Sequence, residues 1–304
     1  MPAAKVNALR GVDIGVTHLD AALRFYTEVW NLDHVTDADN AHYLRGTGAF
    51  HHILSLRQAP TPCIIRVVFD AADRTAIDKL HAQVKVHGAG AIDPPTPLAW
   101  PGGGYGFGCK DREGRNYAVV TGVADHADCA DKPDHPRRLS HVNLNTGDND
   151  ATFAFFRDAL GFTLSDTTRR FRFIRCNADH HCMVLAFHDW PSLNHIAFEM
   201  PDLDSVMRGA GRMIDHGYPI EWGPGRHGPG QNVFCYFCGP EELPLEYTGE
   251  MLQIDDNYRA GSPEDWTWPP GRLDRWGISA APSRRVERAG ELFSFTPDGY
   301  RLHT

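Results

Sequence analysis

The chain lacks the features that would tie it to a membrane or to nucleic acid. No apolar run in its 304 residues is long enough to span a bilayer, and the opening stretch MPAAKVNALRG has no apolar signal-peptide core. Basic residues number 30 against 39 acidic ones, for a net charge of −9, and they form no long basic stretch. We therefore expect a protein that binds neither nucleic acid nor an anionic membrane.

Cysteine usage gives no sign of a disulfide framework. The seven cysteines are odd in number and have no framework spacing, which predicts free thiols in a reducing, cytoplasmic setting. Cys235 and Cys238 form a CxxC inside a predicted strand, with no second CxxC to complete a zinc site, so we interpret both as strand packing. The chain does contain 42% hydrophobic residues, and its length suits two domains.

An internal repeat organises the chain. Residues 12–32, VDIGVTHLDAALRFYTEVWNL, align with residues 142–162, VNLNTGDNDATFAFFRDALGF, at an offset of 142 − 12 = 130. Each copy predicts a strand, a polar turn and an amphipathic helix, followed by short β-rich runs and a second helix. The β-rich runs are 42–46, 51–56 and 62–69, then 170–176, 181–187 and 193–200, and the second helices lie near 72–87 and 203–215.

The repeat predicts an α+β fold made of four βαβββ units, paired in two tandem domains. We expect an N-terminal domain over 1–123 and a polar, proline-bearing linker over 124–136. A second domain should cover 137–250, and the tryptophan-rich tail over 251–304 should wrap it or close one end of a pocket.

Three short stretches of the second half offer residues that bind metals. RRLSHVNLNT, PSLNHIAFEM and LPLEYTGEM carry His141, His195 and Glu246, each in an alternating run typical of a half-buried strand. Any one of them alone would more often be a buried polar residue. Together, two imidazoles and one carboxylate can share one face of an octahedral ion and leave the opposite positions open, as in non-haem Fe(II) oxygenases.

The first half lacks these residues at the positions that correspond to His141, His195 and Glu246. At the offset of 130, it places the following residues at the corresponding positions: Gly11, Ile65 and Asn116. We therefore expect the N-terminal domain to have no metal site and to serve as structural support or as an oligomer contact.

The densest motif is GRHGPGQNVFCYFCGPEELPLE, residues 225–246, which presents His227, Tyr236 and Glu246 in order. With this motif, the repeat and the triad, the chain resembles a type I extradiol dioxygenase of the vicinal oxygen chelate superfamily, over residues 9 to about 250. The resemblance implies that paired modules curl into open β-barrels, with one metal in the C-terminal barrel. The motif departs from the family's usual residues at three positions, none of them reactive: Cys235, Gly239 and Glu242.

The resemblance implies a metal and a reaction. His141, His195 and Glu246 match the metal ligands, for Fe(II) or for Mn(II), which the sequence does not separate. O2 is the implied co-substrate, and the substrate is a small aromatic vicinal diol of the catechol type. Such enzymes serve aromatic hydrocarbon catabolism, usually as homo-oligomers.

The same resemblance implies catalytic roles for three further residues. His181, in NADHHCMVLAF, resembles the active-site acid/base, which must titrate near neutrality to take up and return a proton. His180 is the competing candidate, because neighbouring residues of a strand point to opposite faces. His227 is expected to hydrogen-bond a substrate hydroxyl, with Tyr236 nearby to stabilise developing negative charge.

The substrate pocket is the least determined feature. We expect walls from Phe187, Trp190 and the tryptophan-rich tail, with Arg226 and Asn232 orienting the site, which suits a substituted, moderately apolar catechol. A monocyclic alkylcatechol, a bicyclic diol and a trihydroxylated ring all fit this description.

Two other functions are compatible with the same scaffold. A glyoxalase-type metal-dependent isomerase or lyase usually has four protein ligands, often from two modules. A non-catalytic small-molecule-binding module would have an aromatic pocket without an ordered set of His181, His227 and Tyr236.

Overall fold

The structure is a computed structural model that describes residues 3–302, so the last two residues of the predicted tail lie outside the described part. Its first half contains two βαβββ units. The elements of the first half are β1 Val6–Val16, α1 Leu19–Arg24, a π-helical turn Phe25–Val29, β2 Asp33–Ala38, β3 Ala41–Arg45, β4 Leu54–Gln58, β5 Cys63–Ala71, α2 Arg74–Val86, β6 Ala91–Ile92, β7 Thr96–Pro97, β8 Tyr105–Lys110 and β9 Asn116–Thr121.

The second half repeats this order and adds a tail. Its elements are β10 Arg138–Thr146, α3 Asn149–Leu160, β11 Thr163–Thr167, β12 Phe171–Arg175, β13 Met183–Phe187, β14 Ser192–Glu199, α4 Leu203–Asp215, β15 Trp222–Arg226, β16 Val233–Cys238, a 3-10 turn Pro240–Glu242, β17 Pro244–Gly249 and α5 Arg284–Ala289. None of the helices in residues 3–302 combines the length and the apolar character that crossing a lipid bilayer needs.

Each half forms one large, mainly antiparallel sheet. The strand order is β2-β3-β4-β1-β5-β9-β8-β6 in the first half, and β11-β12-β13-β10-β14-β17-β16-β15 in the second. The first strands of the two units of each half pair at the centre of the sheet, as β1 with β5 and as β10 with β14. The predicted α+β fold of paired βαβββ modules is confirmed.

Helix starts follow from local sequence. Asp73, Asp148 and Asp202 each accept a hydrogen bond from the backbone amide three residues on, which satisfies one free donor of the first turn. Helix α3 ends at Gly161 in the left-handed conformation, with φ 78°, where a side chain would be strained.

Strand pairing corrects the alignment of the two halves. Asp13 pairs with Arg66 as Asn143 pairs with His195, so the counterpart of His195 is Arg66 rather than Ile65. Ala118 pairs with Val68, and Glu246 pairs with Ala197, which is the counterpart of Val68. Ala118 is therefore the counterpart of Glu246. The offset of 130 therefore slips to 195 − 66 = 129 and then to 246 − 118 = 128. The loops between strands differ in length, which a constant offset ignores.

The two halves share a continuous hydrophobic core. Trp30 of the first half stacks on Tyr247 of β17 with ring centroids 3.8 Å apart. Buried Arg115 bonds to Asp111 at 2.8 Å within its own half and to the Asn145 carbonyl at 3.1 Å in the other half. These contacts give the first half a direct role in supporting the second.

The tail runs back over both halves. Bridges join it to β11, to β14 and to β5 in the first half: Asp166 with Gly261, Leu193 with Phe293 and Ile64 with Phe295. Residues 122–137 between the two sheets contain no helix or named strand, and all seven cysteines are free.

Candidate metal centre

Three neighbouring strands of the second sheet bring the predicted ligands together. Ala197 of β14 pairs with His141 of β10 on one side and with Glu246 of β17 on the other, and His195 lies two residues earlier on the same face. His141 Nε2, His195 Nε2 and Glu246 Oε2 form a triangle with three sides of 3.1 Å. All three residues are buried, and Glu246 is fully inaccessible.

This triangle suits a cation. Glu246 accepts no hydrogen bond from a backbone amide or an arginine among residues 3–302, so its buried charge has no ordinary partner. Burial alone would raise the pKa of Glu246, but His141 and His195 lower it well below its ordinary value. Sides of 3.1 Å are those of one octahedral face around an ion about 2.2 Å from each atom, a separation compatible with first-row metals.

Outer hydrogen bonds orient the imidazoles. His195 Nδ1 donates to Asn194 Oδ1 at 2.8 Å, which directs its unprotonated Nε2 into the triangle. Asn194 in turn donates to Asn145 Oδ1 at 3.0 Å, and Asn145 donates to Ser192 Oγ at 2.8 Å. Burial lowers the pKa of His195, opposed by Glu246, so the ring is neutral at neutral pH and free to bind a metal.

His181, His227 and Tyr236 surround the triangle and line one cavity. The His181 ring lies 4.7 Å from that of His141, and His227 Nε2 lies 3.1 Å from the Tyr236 hydroxyl. Burial, reinforced by His141, lowers the pKa of His181 well below its ordinary value, and burial lowers that of His227 to about 4. Burial and the charge of Glu246 raise the pKa of Tyr236 well above its ordinary value. All three groups are therefore neutral near pH 7, which for His181 differs from the expected titration near neutrality.

His180 and His181 diverge, although not for the predicted reason. Both lie in the turn before β13, so strand alternation does not apply to them. His181 lines the cavity, whereas fully buried His180 bonds through Nε2 to Asp166 at 2.8 Å. The Nδ1 atoms of the two histidines are 3.0 Å apart. In the neutral form of His180, Asp166 accepts the Nε2–H of His180, and the Nδ1 of His180 accepts the Nδ1–H of His181. This directs the free Nε2 of His181 away from the pair.

The cavity has a volume of about 630 Å³, and aromatic side chains from several elements contribute to its wall. Trp222 comes from β15, and Trp266 and Trp268 come from the tail, as the predicted tryptophan-rich wall requires. Phe171 and Phe173 of β12 form another wall. Sequence reasoning missed Trp222, Phe171 and Phe173, although the alternation of Phe171 and Phe173 along one strand face was a usable signal.

Four predicted pocket residues do not line the cavity. Phe187 and Trp190 are 46% and 47% exposed, against Arg172 and His188 respectively. Arg226 is held by Glu250 and the Gln231 carbonyl. Asn232 is fully buried and donates to Thr248 Oγ1 at 2.8 Å, while its carbonyl accepts the His227 amide at 2.9 Å. Only Asn232 thus reaches the site, through the backbone of His227.

The double histidine of the second half has an unpredicted counterpart in the first. His51 and His52 precede Leu54 as His180 and His181 precede Met183, and these two strands make equivalent pairings. Their Nδ1 atoms are 3.1 Å apart. A repeat comparison at an offset of 129 would have found this pair.

A sheet of paired βαβββ units with a buried His–His–Glu triangle on its central strands defines a class of metal-binding open-barrel proteins. Residues 138–247 match the family described as the Glyoxalase/Bleomycin resistance protein/Dioxygenase superfamily. The crystal structure of the Mn(II)-bound glyoxalase from Novosphingobium aromaticivorans is 34% identical, with a TM-score of 0.87, over 93% of this chain and 94% of that one. The chain belongs to this superfamily.

Two further comparisons agree on the fold. Metapyrocatechase 2 of Cupriavidus necator is 34% identical over 151 residues, which are 47% of this chain and 45% of that protein. The chain thus spans about half the length of the curated relatives that it matches first. The native homoprotocatechuate 2,3-dioxygenase of Arthrobacter globiformis has a TM-score of 0.85 at 22% identity, over 98% of this chain and 95% of that one, which is a likeness of fold alone.

Proposed function

We propose that this protein is an extradiol dioxygenase that cleaves the ring of a catechol-type diol with O2 at a mononuclear Fe(II) centre. The observation that carries the proposal is the 3.1 Å triangle of His141, His195 and Glu246, open on the side of an aromatic cavity. A triad on one face of an ion leaves positions for both hydroxyl oxygens of a diol and for O2. The name metapyrocatechase 2, borne by a 34% identical relative, agrees with this reaction.

The three ligands would hold Fe(II) or, alternatively, Mn(II). When bound, such an ion supplies Lewis-acid binding of the diol oxygens and the electron transfer that lets O2 react with an electron-rich ring. Burial keeps the pKa of His195 low and Glu246 stays ionised, so neither has to release a proton near pH 7 to bind a metal.

The protein's own groups would manage the protons. His181 is neutral and, with its Nδ1 directed toward His180, can accept a proton from a substrate hydroxyl at Nε2 and return it later. His227 and Tyr236, joined by a 3.1 Å hydrogen bond, can bind a substrate oxygen from the other side. Trp266 and Trp268 of the tail line the same cavity as these groups.

The cavity favours a substituted, moderately apolar ring. A volume of about 630 Å³ lies in the ordinary range for small-molecule sites and exceeds what an unsubstituted catechol fills. Aromatic walls offer stacking surfaces to a second ring or an alkyl chain.

We also propose that the protein acts in the cytoplasm, where its seven cysteines stay free. We further propose that it forms a homo-oligomer, which sedimentation velocity of the full chain tests.

A glyoxalase-type isomerase is the second candidate, and the name of the 34% identical Mn(II)-bound structure favours it. Such sites usually have four protein ligands. Among residues 3–302, the buried ligand cluster has three members, and the first half offers Gly11, Arg66 and Ala118 at the equivalent positions. The ordered set of His181, His227 and Tyr236 also disfavours a purely binding module.

Anaerobic loading with Fe(II), followed by a panel of catechols and then air, tests the proposal. We expect O2 uptake and a yellow ring-opened semialdehyde, with no product from protein that carries no metal. Parallel assays use the hemithioacetal of methylglyoxal and glutathione. Turnover of the hemithioacetal without ring cleavage would establish the isomerase, and catechol binding without turnover of either substrate would establish the binding module.

A further inference from the structure

The hairpin of β2 and β3 carries a second cluster of metal-binding residue types. His34, Asp37 and His42 lie in the first half, on strands that pair with neither the ligand strands nor the cavity walls of the second sheet. Asp37 Oδ1 lies 2.7 Å from His34 Nε2 and 2.6 Å from His42 Nδ1. All three ligand atoms are within 4.8 Å of one another.

A β-bulge brings the three side chains to one face. Asp37 and His42 are direct cross-strand partners. His34 is three residues before Asp37, a spacing that points to the opposite face in a regular strand. A register shift between His34 and Thr36 inserts one residue and returns His34 to the face of Asp37.

The turn between the strands fixes this arrangement. Asp39 and Asn40 both have positive φ values, of 50° and 56°, as in the two-residue type I′ turn that matches strand twist. The hairpin is thus set by its backbone before any ion binds, and a ligand would meet a preformed site.

The charge of Asp37 is available to a cation. Within the described part of the chain, its ion-pair partners are the two histidines, and no lysine or arginine pairs with it. Arg57 nearby is engaged with the Asp39 carbonyl and the Tyr43 hydroxyl. Hydrogen bonds from His42 and His34 lower the pKa of Asp37, so the carboxylate is ionised at neutral pH.

We infer that His34, Asp37 and His42 form a peripheral site for a divalent ion that prefers nitrogen ligands, of the class of Zn²⁺, Ni²⁺ and Cu²⁺. Two imidazoles and one carboxylate are a ligand set for these ions rather than for Mg²⁺ or Ca²⁺. Metal–ligand distances near 2.0–2.1 Å require each histidine nitrogen to move about 0.6 Å away from Asp37 Oδ1, which exposed side chains accommodate. Asp37 and His42 border an open groove of about 1200 Å³, from which water completes the ligand shell.

Zinc stoichiometry of the full chain tests the site. After equilibration with low-micromolar ZnCl₂, we expect two bound equivalents in the wild type. We expect one in His34→Gln and His42→Gln, one in His195→Gln, and two in the matched turn control Asp39→Asn. His34 is partly exposed, so its replacement leaves the fold intact, which circular dichroism verifies.

Metal content is the measurement, so the result does not depend on ring cleavage. Equal zinc content in the wild type, His34→Gln and His42→Gln would overturn the inference whatever the activity. Isothermal titration gives the affinity, which should fall at least tenfold at the hairpin in either variant while the affinity of the buried triangle is unchanged.

Discussion

At the scale of single residues, the buried charge of Glu246 is the strongest constraint on what the barrel can hold. An ionised carboxylate with no accessible surface is costly unless a cation compensates it. The two imidazoles that face it at 3.1 Å are uncharged when they bind a metal, so in the metal-bound state the ion compensates the charge. The site is therefore built for the metal-bound state.

Glu246→Gln removes the negative charge of the side chain and keeps its size and shape. We expect metal affinity to fall by more than the roughly 10–100-fold that loss of an outer-shell partner costs. The metal-free variant should unfold at the same temperature as the wild type or higher, because an uncompensated buried charge is removed. Metal analysis and thermal unfolding in chelator test both effects, with exposed Glu28→Gln as control. Full metal retention by Glu246→Gln would exclude the carboxylate as a ligand.

His181→Phe tests the proton-transfer role. We expect metal and substrate binding to persist while turnover falls by roughly 10²–10⁴-fold, the usual contribution of a general acid–base group. Steady-state kinetics, metal content and catechol titration are the measurements, with Phe187→Leu outside the cavity as control. Undiminished turnover in His181→Phe would refute the role.

At the scale of elements, β11 and the tail together hold His181, the proposed acid/base, through His180. Asp166 of β11 is fully buried, bonds His180 at 2.8 Å and accepts the Gly261 amide of the tail at 2.6 Å. His180 then contacts His181. This chain orients a cavity residue from elements that do not touch the metal triangle.

Asp166→Asn removes the carboxylate that begins the hydrogen-bond series from Asp166 through His180 to His181. Turnover should fall by about tenfold, as for other outer-shell partners, with KM for the diol unchanged, because substrate binding does not involve Asp166. Exposed Asp215→Asn serves as control. A drop in thermal stability with kcat intact would show that Asp166 is structural only.

Two glycines of helix α4 give a matched pair for packing. A Cβ on Gly211 meets nothing within 4 Å, whereas one on Gly209 meets Tyr247 Cε2 at 2.8 Å, and Tyr247 is itself held against Trp30. We expect Gly211→Ala to raise the free energy of unfolding by about 0.5–1 kcal/mol through helix propensity. Gly209→Ala should lower it by about 1–3 kcal/mol through overpacking. Urea denaturation measures both, and equal effects would contradict the close packing of α4 on β17.

At the scale of the whole molecule, the first half keeps the architecture of the site without its metal chemistry. Arg66 stands where the second half has His195, and it pairs with Asp13 at 3.0 Å. Arg66 and Asp13 neutralise each other within the protein, whereas the Glu246 carboxylate of the second half lies where a metal ion would bind. Because the halves share one core, we expect them to unfold together.

Buried His52 makes the molecule sensitive to acid. Burial, partly opposed by Asp13, lowers its pKa to about 4, below the ordinary 6.5. The free energy of unfolding that neutral, buried His52 contributes is fully present above pH 6.5. It is lost as the pH falls toward 4, by about 3 kcal/mol in total. His52→Gln should therefore lose less stability than the wild type over this range, and exposed His216→Gln should follow the wild type. Parallel losses in all three proteins, measured by urea denaturation at each pH, would contradict this assignment.

The sequence by itself determined the repeat, the fold class, the tryptophan-rich tail wall and the meeting of His141, His195 and Glu246. Alternation, helix caps and apolar spacing are local, and they act on each strand and helix separately. Only the tertiary structure decided the register between the halves, which moved the counterparts of His195 and Glu246 to Arg66 and Ala118. It alone also placed Phe187 and Trp190 outside the cavity and Trp222 within it. Loop lengths and long-range packing set these positions, and neither produces a periodic pattern in the amino-acid sequence.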